Sequence, residues 1–281
     1  MGREHALLFA KHGAKVVVND LGGAVDGSGG DTTPAQEVAH EIEAMGGEAI
    51  VNGDDVGNFD GAKNMVDQAI NHFGQLDILV NNAGILKDRM LVNMTEEEWD
   101  AVIHVHLKGT FAPTRHAAAY WRAMSKQNDA PVFGRVINTS STSGIYGNIG
   151  QTNYGAAKAG IASFTIIAAR ELGRLGVTVN AISPSAYTRM TDYLREYTED
   201  EIEERAPAWV SPTVVWLASE EAGNITGRVI QAGAGMVAVC EGWRRGAEVG
   251  AIADPVELGP KIREMCGQVR KNSGMDGMEL D

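Results

Sequence analysis

Apolar and polar positions alternate between two periods along most of the chain. Apolar, Val- and Ile-rich runs at 15–19, 48–52, 76–80, 135–138, 177–182 and 227–232 are each followed by Asp, Asn, Gly, Ser or Thr, the pattern of short buried strands. Between them lie helical patterns at 2–12, 34–45, 59–73, 94–105, 156–175 and 214–219. In the first, Ala6, Leu7, Phe9 and Ala10 make the apolar face and Gly13 is the stop. The fourth opens with a Thr95 to Glu98 capping box. Repeated strand and helix predict an α/β fold built on a doubly wound parallel sheet, Rossmann-like, in three αβα layers. Past Gly235 the rhythm fades, so 1–235 is expected to be the α/β domain and 236–281 an extension that contacts a partner subunit.

Composition narrows the function classes. The chain has 281 residues, 44% of them apolar, enough for one large α/β domain with a substantial core. No uncharged apolar run reaches the length of about 18 residues that a membrane span needs. A net charge of -13 argues against nucleic acid or anionic membranes as partners. The start lacks the apolar stretch of a signal peptide and the end, Met278-Glu279-Leu280-Asp281, carries none of the usual address tags. With only Cys240 and Cys266, a reducing compartment is expected, hence a cytoplasmic location. No metal site is indicated.

The chemistry concentrates in 140–158. Ser141 follows the strand at 135–138, and Tyr154 and Lys158 stand four residues apart where the helix of 156–175 begins. If that helix includes Tyr154, phenol and ammonium share one face. A free tyrosine ionises near pH ~10, so it works as an acid or base at neutral pH only beside a positive charge that favours its phenolate. Ser141, at a strand exit where open parallel sheets hold ligands, is placed to hydrogen-bond the same substrate oxygen.

A lone YxxxK is commonplace, but here a strand-terminal Ser lies thirteen residues before the Tyr, with Asn148, Gly150, Gln151 and Asn153 between them. A second signal is Asn81-Asn82-Ala83-Gly84 directly after the strand at 76–80. Together they resemble the short-chain dehydrogenase/reductase family, whose catalytic Ser, Tyr and Lys match Ser141, Tyr154 and Lys158. The resemblance implies NAD: Asp20 at a strand end would accept the adenosine ribose hydroxyls and repel the extra phosphate of NADP. It further places Asp55 and the Val56 backbone at the adenine, Asn82 near the ribose, and Ala186 and Thr188 at the nicotinamide, with Tyr154 and Lys158 also touching the cofactor. Ser185 stands where the family usually has Gly.

Two departures matter. His106 occupies the place of an Asn that usually holds a relay water, which makes it a possible fourth catalytic residue, since imidazole also relays protons, or else a structural one. Gly2 matches the last glycine of the family's TGxxxGxG turn, so the strand and most of the loop before it are absent from the sequence. That strand lies mid-sheet in the family. Losing five or six buried residues at ~1.5–3 kcal/mol each removes on the order of 10 kcal/mol, comparable to a domain's net stability, and leaves two neighbouring strands with unpaired edges. Met1 is therefore expected to be an internal methionine, with roughly twenty more residues upstream. A competing first βα unit would use 15–19, a loop with Gly27 and Gly29, and 34–45, but its GxG falls short of a full GxGxxG.

Segments such as Val18 to Gly23, Asn82 to Arg89 and Ser143 to Asn148, with His106, are similar to the (3R)-hydroxyacyl-CoA dehydrogenase units of type 2 peroxisomal multifunctional enzymes. Relative to these, 125–133 looks inserted, a surface loop, and the Glu-rich 191–208 either falls where the family carries a helical cover over substrate or is a solvated helix. The resemblance implies an NAD-dependent oxidoreductase that interconverts a secondary alcohol and a ketone on an acyl-CoA, as a homo-dimer or homo-tetramer. Alternatives are a 3-oxoacyl-carrier-protein reductase, a steroid or polyol dehydrogenase, or, given the missing loop, a non-catalytic binding or scaffold protein.

Overall fold

A computed structural model describes residues 1–22, 33–188 and 197–280. Helix α1 (Gly2–Lys11) leads into β1 (Val16–Asn19), α2 (Thr33–Ala44), β2 (Ala49–Asn52), α3 (Phe59–Phe73) and β3 (Ile78–Asn81). Then follow α4 (Glu96–Ile103), a π turn (His104–Lys108), α5 (Gly109–Asn128), β4 (Gly134–Thr139), the short α6 (Thr142–Ile145), α7 (Thr152–Leu172) and β5 (Val177–Pro184). The chain closes with α8 (Glu199–Glu204), α9 (Ser211–Leu217), β6 (Val229–Gly233), β7 (Met236–Cys240) and α10 (Pro255–Gln268).

Strands β3-β4-β5-β6-β7 form one sheet, parallel except for the antiparallel β7, while β1 and β2 form a separate parallel pair. Among the described residues β1 pairs only with β2, and β3 only with β4. Among the described residues the strands thus fall into two sheets, with β1 and β3 each leaving one edge unpaired. Helix α1 spans the two. Phe9 packs with Ile137, Ile182, Val210, Val214 and Ile230 of the larger body, whereas Ala6 and Ala10 pack with Val38, Ile42 and Ala49 beside the smaller pair.

On the opposite face of the larger sheet, Ala117 and Trp121 of α5 and Ala168 and Ala169 of α7 cover Leu79, Val136, Val177 and Val179. Neighbouring Val136 and Ile137 thus face opposite layers, as a strand's period of two requires. All six residues of β4 are buried, the mark of a parallel strand covered on both sides. Each fully buried Val or Ile contributes roughly 1.5–3 kcal/mol.

Three expectations change. Residues 125–128 are not loop but the last turn of α5, which ends at Asp129 with φ 47. Helix α5 itself was hidden by Gly109 and the internal Pro113. Beyond 235 the sheet continues, because β7 pairs with β6 from Met236 to Cys240. The helix at 156–175 starts earlier, at Thr152, and ends at Leu172 before a 3₁₀ turn. Of the Glu-rich cover, α8 and the 3₁₀ turn Pro207–Trp209 are helical, while 189–196 lies outside the described residues, as does the loop with Gly27 and Gly29. Cys240 and Cys266 are unpaired thiols, and among the described residues no helix is long and apolar enough to cross a membrane.

Candidate active site

Because α7 begins at Thr152, Tyr154 and Lys158 lie one turn apart on the same helix. The Lys158 ammonium is 5.5 Å from the Tyr154 ring centroid. Lys158 is 3% exposed, its Nζ donates to the Thr139 carbonyl at 2.6 Å, and burial brings its pKa down to about 7. A charge this poorly hydrated projects strongly onto the neighbouring phenol.

Ser141 is the N-cap of α6, where its Oγ accepts from the Ser143 N–H at 3.2 Å. The Ser140 hydroxyl donates to the Lys158 carbonyl at 2.9 Å, which fixes the exit of β4 to α7. α6 lies so close to α7 that a Cβ on Gly144 would stand 2.5 Å from Ala159 N and 2.6 Å from the Lys158 carbonyl carbon. Only glycine permits that approach, and the approach sets Ser141 beside the first turns of α7.

Behind these groups runs a ladder of amides. Asn81 Nδ2 donates to Asn138 Oδ1 (2.8 Å) and Thr114 Oγ1 (3.0 Å), and Asn138 Nδ2 to Thr165 Oγ1 (2.9 Å), joining β3, β4, α5 and α7. In front of them Gln151 is held by Ser143 Oγ, which donates to its Oε1 at 2.7 Å, and donates in turn to Asp88 Oδ2 at 2.8 Å. Asn153 Nδ2 donates to the carbonyls of Lys87 and Glu98. The polar spacing between Ser141 and Tyr154 therefore clamps the loop after β3.

His106 falls in the π turn and is fully buried, edge-on to Tyr154 with centroids 5.1 Å apart. Its Nε2 is 2.8 Å from the Ile85 carbonyl and 3.1 Å from the Ile85 N–H, two bonds that require opposite tautomers. A proton on Nε2 satisfies the carbonyl and leaves Nδ1, buried and without a partner among the described residues, as a bare acceptor. The other tautomer strands a buried N–H, so Nε2–H is the better assignment. Burial first, and the Lys158 charge second, hold its pKa well below the ordinary value. The ring is neutral and packs so closely on Gly84 that a Cβ there would lie 2.5 Å from its Cε1. It anchors the loop after β3 and braces Tyr154.

The remaining residues singled out by sequence line the carboxyl ends of the strands. Asp20 follows β1 at the surface and its Oδ1 accepts from the Gly22 N–H at 2.7 Å. Asp55 follows β2, with Oδ2 2.7 Å from His104 Nε2 and Oδ1 accepting from the Gly57 N–H. Burial alone would raise its pKa, but the hydrogen bonds from His104 and Gly57 and the charges of His104 and Lys108 outweigh that and lower it. Val56 packs on the start of α5, its Cγ2 2.7 Å from where a Cβ on Gly109 would be. Asn82 follows β3 against the start of α1: a Cβ on Gly2 would lie 3.0 Å from its Nδ2. Ala186 and Thr188 follow β5, after Ser185, whose N–H bonds the Ala232 carbonyl. A Cβ on Gly233 would lie 2.3 Å from the Ser185 carbonyl oxygen, so the glycine missing at 185 does not bar a close passage between the two segments.

Ser141, Tyr154, Lys158 and His106 therefore come together, while Asp20, Asp55 and Val56 sit at the ends of β1 and β2. The His104–Asp55 pair and the Thr139 carbonyl under Lys158 were not picked out from sequence. Each joins residues distant along the chain, and no local pattern signals such a pairing.

Comparison with known proteins agrees with this geometry. A family model described as short chain dehydrogenase matches residues 1–202. Hydroxyacyl-CoA dehydrogenase ChsB1 of Mycobacterium tuberculosis is 42% identical over 276 residues, covering 94% of this chain and 84% of that protein. Peroxisomal multifunctional enzyme type 2 of Mus musculus is 42% identical over 252 residues, 90% of this chain, but the match spans only 32% of that longer protein. A crystal structure of a short chain dehydrogenase from Mycobacterium avium superposes with a TM-score of 0.86 at 49% identity, covering 100% of this chain and 94% of the other. With a parallel sheet, a Ser-Tyr-Lys set at its carboxyl edge and a family match over most of its length, the chain belongs to the short-chain dehydrogenase family.

Proposed function

We propose that this chain is an NAD-dependent oxidoreductase that interconverts a secondary alcohol and a ketone on a (3R)-3-hydroxyacyl-CoA. The carrying observation is the buried Lys158 ammonium 5.5 Å from the Tyr154 ring on one helix face. The residues present fit a dinucleotide. Among the described residues Asn82 Oδ1, Thr139 Oγ1 and Ser183 Oγ are buried without a hydrogen-bond partner, and all three lie at or next to the carboxyl ends of β3, β4 and β5. Orphaned polar atoms in a row at that edge suit a ligand rich in hydroxyls and amides.

In this reading Asp20 holds the adenosine ribose and disfavours a 2′-phosphate, Asp55 and Val56 flank the adenine, Gly2 lies near the pyrophosphate, and Asn82 and Lys158 bind the nicotinamide ribose. Ala186 and Thr188 hold the nicotinamide, which when bound supplies a hydride acceptor for the alcohol carbon. Tyr154 takes the hydroxyl proton as phenolate, favoured by the Lys158 charge. Ser141 hydrogen-bonds the substrate oxygen where charge changes, and His106 keeps the Tyr154 ring in place. In reduction Tyr154 returns its proton to that oxygen.

The acyl-CoA assignment is supported by relatives named for that chemistry. The same apparatus would serve a 3-oxoacyl-carrier-protein reductase or a steroid or polyol dehydrogenase. A reading from another class is a non-catalytic binding protein on the same fold. Solvent-facing Val237 and Val239 on β7 fit a homo-dimer or homo-tetramer, in a cytoplasmic protein of fatty-acyl metabolism.

Tyr154→Phe tests the reading. It should lower kcat by at least about 10³-fold, the scale of general acid–base catalysis, and leave NADH affinity within a few-fold. Turnover persisting in the variant would refute the mechanism, and a wild-type chain that binds no NADH would favour the binding protein. A panel of acyl-CoA chain lengths with NAD and NADP then separates the substrates.

A further inference from the structure

Two neighbouring aspartates follow β2, and they are held from different sides. Asp54 is tied back to the strands: its Oδ2 accepts from Asn52 Nδ2 at 2.9 Å, and its carbonyl accepts from Asn19 Nδ2 of β1 at 2.9 Å. Asp55 is tied to the π turn, where His104 Nε2 lies 2.7 Å from its Oδ2. A carboxylate can only accept, so His104 Nε2 carries the proton of that bond. The pair joins the loop of the smaller strand pair to the helical layer of the larger body.

The backbone closes round the same pair. The Gly57 N–H donates to Asp55 Oδ1 at 2.8 Å, and the Asn58 N–H donates to the Asp55 carbonyl at 3.0 Å. Gly57 lies against the imidazole. A Cβ there would stand 2.5 Å from His104 Cδ2 and 2.6 Å from the His104 carbonyl oxygen, so the approach requires glycine. This grip leaves the carboxylate usable. The Asp55 side chain is 35% exposed, and of the about four acceptor sites that a carboxylate offers, the bonds from His104 and Gly57 take two. An incoming amine or N–H group can still be accepted, by oxygens whose direction is already set. Orienting a side chain before the ligand arrives removes an ordering cost from binding.

The acid–base groups are served by another residue of the same turn. His106 stands two positions on and is the one that packs edge-on to Tyr154. Residues two apart on a helical turn do not face each other, so the two histidines act at different ends of the site. We propose that His104 is a positioning residue for the adenine end of the cofactor: by holding the Asp55 carboxylate it sets dinucleotide affinity without entering the proton-transfer step. The inference rests on the reading that Asp55 meets the adenine.

The full-length chain tests it through KM for NADH, KM for the adenine-free reduced nicotinamide mononucleotide, and kcat. His104→Leu keeps bulk and loses the donor. It should raise KM for NADH on the order of tenfold, the scale on which a hydrogen bond to a charged group contributes, with the mononucleotide KM within about twofold and kcat within about threefold. His104→Gln, whose amide nitrogen can reach the Nε2 position, should recover most of the loss, whereas the shorter His104→Asn should not. That polar pair carries the comparison if His104→Leu does not fold. In an Asp55→Ala background His104→Leu should add nothing, since its effect passes through the carboxylate. Equal losses for NADH and the mononucleotide, equal behaviour of Gln and Asn, or an undiminished effect beside Asp55→Ala would overturn the inference. The reading beneath it fails separately: Asp55→Ala with wild-type NADH affinity would remove Asp55 from the adenine, and the role of His104 with it.

Discussion

Lys158 is where burial and chemistry oppose each other. Its ammonium has given up water for the Thr139 carbonyl, and its pKa falls from 10.5 to about 7. Between those values the unfolded chain binds a proton that the folded chain does not, so stability should rise with pH across the window from about 7 to 10.5. Below about 7 both states are protonated and the full cost of burying the charge remains. Lys158→Met should therefore abolish turnover yet stabilise the cofactor-free protein near pH 6 by on the order of 1–3 kcal/mol, part of the desolvation cost being offset by the lost hydrogen bond. Denaturant midpoints at pH 6 and pH 9 check this: the variant's advantage should shrink at the higher pH. His106 is buried in the neutral form, so His106→Asn should lower kcat by less than about tenfold without moving the pH profile between 5 and 7. A wild-type inflection in that range that vanished in the variant would show that the imidazole titrates after all.

Elements set the distances that these residues need. The site depends on α6 lying against the first turns of α7, which Gly144 alone permits. Gly144→Ala places a methyl 2.5 Å from a backbone nitrogen that cannot give way. It should cost roughly 1–3 kcal/mol in denaturant midpoint and lower kcat more than it raises KM for NADH, because Ser141 moves with α6. At this scale the sequence was read well where periodicity was clean, as in α3, whose span 59–73 was predicted to the residue. It was read poorly where local signals conflicted. Gly109 and Pro113 masked α5, although Trp121 within it is 1% exposed and donates to the Leu76 carbonyl at 2.7 Å. β7 was missed although Met236-Val237-Ala238-Val239-Cys240 is an unbroken apolar run of strand length, joined to β6 through the short Ala234-Gly235 turn, so the sequence did carry a hairpin signal there. The His104–Asp55 contact escaped for another reason: forty-nine residues separate its members.

Over the whole molecule, the separation into two sheets should produce uneven stability. β1 and β2 are joined to the larger sheet through α1 and side-chain packing rather than through strand hydrogen bonds. Hydrogen exchange read by mass spectrometry should find amides of 16–19 and 49–52 losing protection well before those of 134–139 and 177–184. Equal protection in both sets would mean that α1 couples the two parts fully. The α/β class, most of the strand-and-helix order and the Ser141, Tyr154 and Lys158 set were determined by the sequence itself. Periodicity and short motifs are local, and a helix places residues 154 and 158 on one face wherever it packs. Tertiary structure alone decided the state of each group: how deeply Lys158 is buried, that His106 is neutral, and that Asp55 is already held by His104. Each depends on desolvation and on contacts between segments far apart in the chain, which are fixed only when the layers close over one another.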